Sequence, residues 1–292
     1  MAPEYYVFTG QRVPDHITHV RIGLALNFVA ARAFKENPYI EEVICHDGVR
    51  KIEQFAFFVC PSLRRVIIPG VKEVEMCAFN ACKAPNYIEC DKLEVIGREA
   101  FCGCSFSSID LPSIKIVEAV AFFSCKKLIN VKFGKDLVSI RTGAFKYCRS
   151  LERITLPLKD GIFADDNIFQ GCEKLNHVDL VGGVHEAVAA LLLEDWKNDM
   201  KEELNSINQI LPSRNSGNNF CTGNLADIGD KTRAIRTWIT TVLRKIIHYK
   251  SEHRRYLDDA ATTLQRALPN DIILKNVLPF LELPSYTFEG ED

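Results

Sequence analysis

The sequence lacks the features that membrane proteins, exported proteins and common enzyme families require. No apolar run in the chain approaches the ~20 residues of a membrane-spanning helix. The first residues have neither the basic nor the apolar region of a signal peptide. There is also no Gly-rich phosphate loop, no Gly-x-Ser-x-Gly elbow and no His-Glu-x-x-His motif. We therefore expect a cytoplasmic protein that is not an enzyme, has no cofactor and takes no small-molecule substrate.

An excess of charge of either sign is also missing. The chain has 36 lysines and arginines against 38 aspartates and glutamates, which gives a formal net charge of −2. Proteins whose main task is to neutralise phosphates carry a marked positive excess. The balance therefore disfavours nucleic acid and membranes as partners of the whole chain.

Cysteine is abundant, and its spacing shows an internal repeat. Eleven cysteines, an odd number, and the lack of any Asn-x-Ser/Thr sequon indicate a reducing compartment. Six of them recur every 21 to 24 residues, and each follows a phenylalanine by three positions. They are Cys60, Cys82, Cys104, Cys125, Cys148 and Cys172. A regular period of about 22 residues is typical of a solenoid, in which each unit buries its apolar residues against its neighbours.

Each repeat also contains the pattern of a short strand. Ala-Phe pairs recur from Ala33-Phe34 to Ala144-Phe145, and an apolar-x-apolar step such as Val66-x-Ile68 follows each one. Alternation with a period of two is typical of a strand that has one buried face. The pattern predicts a solenoid of short parallel strands and helical turns, with Phe in the interior and small Ala and Cys where neighbouring turns pack.

These residues resemble a known family. Over residues 17–181 the chain repeats in register the phrase Ala56-Phe57-x-x-Cys60-x-x-Leu63-x-x-Val66-x-Ile68-Pro69. This phrase is similar to the leucine-rich repeats of bacterial surface antigen A type, the BspA-like repeats. The resemblance implies an α/β repeat fold, a leucine-rich-repeat solenoid that is followed here by an α-helical C-terminal region. It also implies binding to proteins or surfaces, with no catalytic residues to carry over.

The candidate site is the outward face of the predicted strands. Residues between the inward positions face outward and align from one coil to the next, which makes an extended surface for a macromolecular partner. This face mixes charges with an apolar spot at Ile44 and Ile67, which favours an unidentified protein over a polyanion as the partner. The candidate partner-binding residues are Arg21, Glu42, Ile44, Arg65, Ile67, Tyr87, Glu89, Asp110, Lys132, Arg153, Thr155 and Asp179.

Beyond the repeats the apolar spacing becomes helical. Residues 184–210 carry a local charge of −4 and residues 231–256 one of +7, so we expect two helices that pair antiparallel. The predicted organisation is an N-terminal cap over 1–16, a solenoid of about seven to eight repeats over 17–183, a capping helix over 184–212, a flexible linker over 213–230, a helical region over 231–283 and a loose tail over 284–292.

Two alternatives place the function in the C-terminal region. Residues 268–281 are similar to the opening of an F-box, which implies a ubiquitin-ligase adaptor. The basic stretch 231–256 is a candidate surface for RNA or an anionic membrane, chiefly through Trp238, Arg244, Lys245, Arg254 and Arg255. We favour the scaffold because the charge of the whole chain is balanced.

We expect no metal site. Cys102-x-Cys104 and the pair Cys77 and Cys82 are the candidate ligands. Neither has a second pair at zinc-finger spacing, and two of these cysteines already belong to the repeat.

Overall fold

The computed structural model describes residues 4–83, 87–181, 184–191, 193–211 and 230–267. In chain order the strands are β1 (Tyr6–Phe8), β2 (His19–Ile22), β3 (Phe28–Val29), β4 (Glu42–Ile44), β5 (Lys51–Ile52), β6 (Arg65–Ile67), β7 (Glu73–Val74), β8 (Tyr87–Glu89), β9 (Val95–Ile96), β10 (Ser108–Leu111), β11 (Ile116–Val117), β12 (Asn130–Phe133), β13 (Ser139–Ile140), β14 (Arg153–Pro157) and β15 (His177–Val181). The helices are α1 (Val184–Ala189), α2 (Glu194–Ile210) and α3 (Asp230–Ala267).

The strands confirm the predicted solenoid. One face carries two parallel sheets, with the orders β1-β2-β4-β6-β8 and β10-β12-β14-β15. The other carries a sheet of two-residue strands in the order β13-β11-β9-β7-β5-β3, so most coils have a second strand that the sequence pattern did not predict. A two-residue strand is too short to show an alternation with a period of two, and only its apolar member is visible in the sequence.

Phenylalanine rings form a continuous stack through the core. The ring centroids of Phe57 and Phe79 are 5.0 Å apart with an interplanar angle of 4°. The same stacking joins successive repeats from Phe34 to Phe169, and Phe8 of β1 packs on Phe34 with centroids 4.6 Å apart. The Ala-Phe pair thus marks the residues of every coil that point into the core.

The turns predicted to be helical are chains of β-turns. Residues on both sides of each Ala-Phe pair adopt the left-handed region, for example Phe55 (φ 59°) and Val59 (φ 55°). These dihedrals direct N–H groups along the solenoid axis, so Phe57 N donates to the Ala78 carbonyl in the next coil at 2.7 Å. The backbone bonds of the turn therefore join coils instead of closing an α-helix.

The repeat cysteines bind the coils together through their thiols. Cys60 Sγ donates to the carbonyl oxygen of Phe34, one coil earlier, at 3.0 Å. Five further cysteines repeat this contact at 3.0 to 3.2 Å: Cys82, Cys104, Cys125, Cys148 and Cys172. Cysteine at this position is therefore a hydrogen-bond donor as well as a small buried side chain.

The segment predicted as one capping helix over 184–212 contains two helices. Leu193 is extended (φ −101°, ψ 138°), and α2 begins after it with Glu194 and Asp195 in its first turn. Carboxylates at this place stabilise a new helix N-terminus. Unbroken apolar spacing across residues 184–211 hid the break, because buried residues of both helices continue the same stripe.

Both α2 and α3 pack at the C-terminal end of the solenoid. Lys231 Nζ, at the start of α3, donates to the carbonyl oxygens of Cys172, Glu173 and Leu175 at 2.9, 3.0 and 2.7 Å. Thr232 Oγ1 accepts the N–H of Phe169 at 3.2 Å. The N–H of Phe169, whose equivalents in earlier coils donate to the next coil, thus finds its partner in α3.

The helices α2 and α3 run antiparallel, as the charge pattern predicts. Trp238 donates to the Glu203 carbonyl at 2.8 Å, whereas the later residue Tyr249 donates to the earlier Asp199 at 2.7 Å. Lys245 lies between these contacts and bonds both acidic side chains. Most of the predicted linker, the F-box-like segment 268–281 and the tail 284–292 lie outside the described residues.

Candidate functional site

The structure brings the predicted partner-binding residues together in two groups. In the first sheet, Arg21, Ile44, Ile67 and Glu89 are in register on β2, β4, β6 and β8. Glu42, Arg65 and Tyr87 form the column beside them. In the second sheet the aligned residues are Asp110, Lys132, Thr155 and Asp179, with Arg153 in the adjacent column. We call these groups the N-terminal face and the C-terminal face.

Glu42 corrects the prediction that every residue of these columns faces solvent. Its exposed fraction is 6%. The carboxylate accepts a hydrogen bond from the Tyr5 hydroxyl at 2.6 Å and from Arg65 at 3.0 Å, and His19 Nε2 lies 3.7 Å away. Three side chains cover it, because a buried carboxylate requires compensating donors. Glu42 is therefore an internal support of the N-terminal face and is not available to a partner.

The sequence analysis missed two residues of this face, Tyr5 and Val7. They lie in the segment predicted as a cap, where β1 pairs with β2 and places Val7 opposite Arg21. Arg21 lies over the Tyr5 ring, with its guanidinium carbon 4.3 Å from the centroid. The bond to Glu42 raises the pKa of the Tyr5 phenol, which keeps the donor protonated. The run Tyr5-Tyr6-Val7-Phe8 has the composition of a strand and was the available signal.

The two faces differ in polarity. On the C-terminal face Lys132 pairs with Asp110 at 3.6 Å and Arg153 pairs with Asp179 at 2.6 Å. These four charges are therefore neutralised within the face. The N-terminal face has half-buried Ile44 and Ile67 beside Tyr87, which is 50% exposed. Apolar and aromatic residues ringed by polar ones are typical of the centre of a protein interface.

Part of the basic charge on α3 is neutralised within the chain. Arg233 and Arg236 pair with Asp166 of the solenoid, and Lys245 pairs with two acids of α2. Arg244 and Arg254 stay exposed. Asp166, Asp199 and Glu203 together lower the +7 that the sequence places in this stretch to +4.

The described part of the chain offers no candidate metal centre. Within it, no group of three histidine, cysteine or acidic side chains is arranged to hold a metal ion. Of the candidate ligands, Cys82 and Cys104 donate to backbone carbonyls, and Cys77 lies 3.8 Å from a Glu99 oxygen. None of the described helices is both long and apolar enough to cross a membrane.

The chain is similar to known leucine-rich repeat proteins. The model of the BspA type leucine-rich repeat region matches residues 27–97 and 94–190, more than half of the chain. Among solved structures, the T. pallidum leucine-rich repeat protein TpLRR is 27% identical, with 60% of this chain and 68% of that chain covered and a TM-score of 0.39. The pneumococcal vaccine antigen PcpA is 17% identical (62% and 66% covered, TM-score 0.36). A leucine-rich repeat protein from Bacteroides ovatus is 20% identical (53% and 64% covered, TM-score 0.31). None of the curated proteins matches.

Proposed function

The chain belongs to the BspA type leucine-rich repeat family, and we propose that it is a non-enzymatic scaffold that binds another protein through the outward face of its strands. Members of such repeat families use the aligned outward residues of a rigid solenoid as an extended binding surface. The N-terminal face is the centre of the proposed site. The C-terminal face extends the same surface as a polar flank.

The observation that carries the proposal is the apolar spot on the N-terminal face. Ile44 and Ile67 occupy the repeat position that is equivalent to Asp110, Lys132 and Thr155 of the C-terminal face, yet they are apolar. Nothing in the fold requires an isoleucine there, because the polar residues of the other sheet satisfy the same backbone geometry. Partial exposure of apolar side chains costs solvation free energy, which a bound partner recovers.

Rigidity supports the same proposal. Glu42 holds Tyr5 and Arg65 in place from beneath the face, and Arg65 in turn lies 6.0 Å from the centroid of the Tyr87 ring. Side chains that are ordered before binding lose less conformational entropy when a partner docks. The N-terminal face is therefore suited to specific binding by a preformed surface.

The proposed location is the cytoplasm. The repeat cysteines donate their thiol hydrogens to carbonyls of neighbouring coils, so the packing uses the reduced form of cysteine. A reducing compartment maintains this form.

A pair of matched substitutions tests the proposal. A photo-cross-linking residue at position 87 of the full chain, introduced in cells, should capture a discrete partner, whose affinity is then measured with purified proteins. Ile67→Asp places a charge in the apolar spot and should weaken binding at least tenfold, the effect of about 1.4 kcal/mol. Thr155→Asp, at the equivalent position of the C-terminal face, is the control and should change the affinity little.

Two results would contradict the scaffold. Equal affinity of wild type and Ile67→Asp would show that the apolar spot is not used. Loss of binding in Arg244→Gln with Arg254→Gln, while Ile67→Asp binds normally, would move the function to α3. The adaptor role implied by the resemblance of residues 268–281 to an F-box falls on residues outside the described ranges.

A further inference from the structure

The charges of the N-terminal face identify the kind of segment that it accepts. Among the outward charges of the two faces, Arg65, Lys132, Asp110, Arg153 and Asp179 each have an ion partner. Arg21 and Glu89 have none among the described residues: Arg21 lies on the Tyr5 ring, and Glu89 accepts only a long hydrogen bond from Tyr87 at 3.5 Å.

These two charges lie three coils apart in one row, which Val7 of β1 extends beyond Arg21. Arg21, Ile44, Ile67 and Glu89 are successive partners in the parallel register, one residue for each coil. Adjacent parallel strands are about 4.8 Å apart, so three steps separate Arg21 from Glu89 by about 14 Å. The row therefore presents a cation, two apolar side chains and an anion in a straight line across the strands.

An extended peptide matches this spacing. In an extended chain every second side chain points to the same side, and four residues span about 13 Å. Three side chains at positions i, i+2 and i+4 then meet Arg21, the Ile44 and Ile67 spot, and Glu89. The complementary side chains are an acid, an apolar residue and a base.

We propose that the N-terminal face binds an extended protein segment with the pattern acidic-x-apolar-x-basic, lying across β2 to β8 with its acid opposite Arg21 and its base opposite Glu89. This inference rests on the proposed function and names the chemistry of its partner. The side chains of the row do not select the direction in which the bound segment runs. The reversed pattern, basic-x-apolar-x-acidic, therefore fits equally well when the segment runs the other way. A nucleic acid does not fit, because Glu89 repels a polyanion and the apolar centre offers no hydrogen-bond donor to its phosphates.

Selection from a random library of displayed 12-residue peptides tests the pattern directly. The full chain is immobilised as wild type, Arg21→Glu and Glu89→Lys, with Lys127→Glu, in an exposed turn outside both faces, as the control. Wild type and Lys127→Glu should enrich peptides with opposite charges four residues apart around an apolar residue. Arg21→Glu should instead enrich two bases at that spacing, and Glu89→Lys two acids.

Binding of the best wild-type peptide, measured by fluorescence anisotropy, should weaken about fivefold for each charge reversal, the upper range for an exposed ion pair. Unchanged circular dichroism and melting temperature show that a variant is folded, and Arg21→Gln replaces Arg21→Glu if that chain does not fold. The proposal is overturned if no peptide is enriched, if the charges are at another spacing, or if the same peptides are selected by all four chains. In those cases the scaffold function would still be supported if Ile67→Asp weakens the binding of the partner that is cross-linked at position 87.

Discussion

Removal of one ring from the phenylalanine stack is the most direct test of the fold. Phe101 has no exposed surface. Its ring stacks on Phe79 at 5.4 Å and on Phe122 at 5.5 Å between centroids, and it meets the Phe106 ring edge-on at 6.0 Å. Phe101→Ala therefore removes contacts with the coils on both sides as well as within its own coil.

The expected magnitude follows from these contacts. Truncation of a buried phenylalanine to alanine costs about 3 to 5 kcal/mol, and the cost is highest where the surroundings do not close the cavity. Closure is prevented here because Phe79 N donates to the Ala100 carbonyl at 2.8 Å and Phe101 N donates to the Ala121 carbonyl at 2.9 Å, which holds the coils at a set spacing. The lost stacking adds to this cost. We expect a decrease of about 4 to 5 kcal/mol in the free energy of unfolding.

Urea unfolding followed by circular dichroism measures this decrease. Phe101→Leu keeps most of the volume and should cost less than about 1.5 kcal/mol. Lys132→Ala, on the exposed C-terminal face, should stay within about 0.5 kcal/mol of wild type. Similar unfolding midpoints for Phe101→Ala and Lys132→Ala would refute our assignment of the repeat residues that point into the core.

Three further predictions concern thiols, the C-terminal cap and pH. Native thiol labelling read by mass spectrometry should spare the repeat cysteines, because burial raises the pKa of Cys104 and Cys125, and should favour Cys221, which lies outside the described residues. Disulfides among the repeat cysteines of the native protein would contradict both the packing and the location. Lys231→Met should lower the free energy of unfolding by about 1 to 3 kcal/mol, since three carbonyls lose a charged donor, whereas Lys201→Met on exposed α2 surface should not. Burial lowers the pKa of His253, whose Nδ1 has no hydrogen-bond partner among the described residues, so protons bind the unfolded chain preferentially. The free energy of unfolding should then fall as the pH drops through about 6.5. His253→Leu should reduce that slope, and an unchanged slope would contradict the assignment.

Regular periodicity made the solenoid and its register predictable. Phe and Cys recur three residues apart in six successive units, and a unit of this length has no way to bury its apolar positions except against copies of itself. The alignment of Arg21, Ile44, Ile67 and Glu89 in one row followed from that period alone. The pairing of strands that are distant in the sequence could be predicted, because every coil repeats the strand pairing of the coil before it.

Features that break the period were not predictable. The burial of Glu42 depends on Tyr5 and Arg65, which are 37 and 23 residues away in the chain. Two features that follow the period were also not predicted. The second strand of most coils shows only one apolar residue in each repeat, and the left-handed turn residues share no residue type, since both features depend on hydrogen bonds to the next coil.

By itself, the sequence of this protein determined which residues of each repeat are buried, because hydrophobic burial at regular spacing is a property of residue types and distances along the chain. Only the tertiary structure decided which outward side chains are available for binding. Within the ranges that the structure describes, Glu42 became an internal support, most outward charges found ion partners, and Arg21 and Glu89 did not. Electrostatic pairing and burial depend on which side chains meet across coils, and that is settled only when the chain is folded.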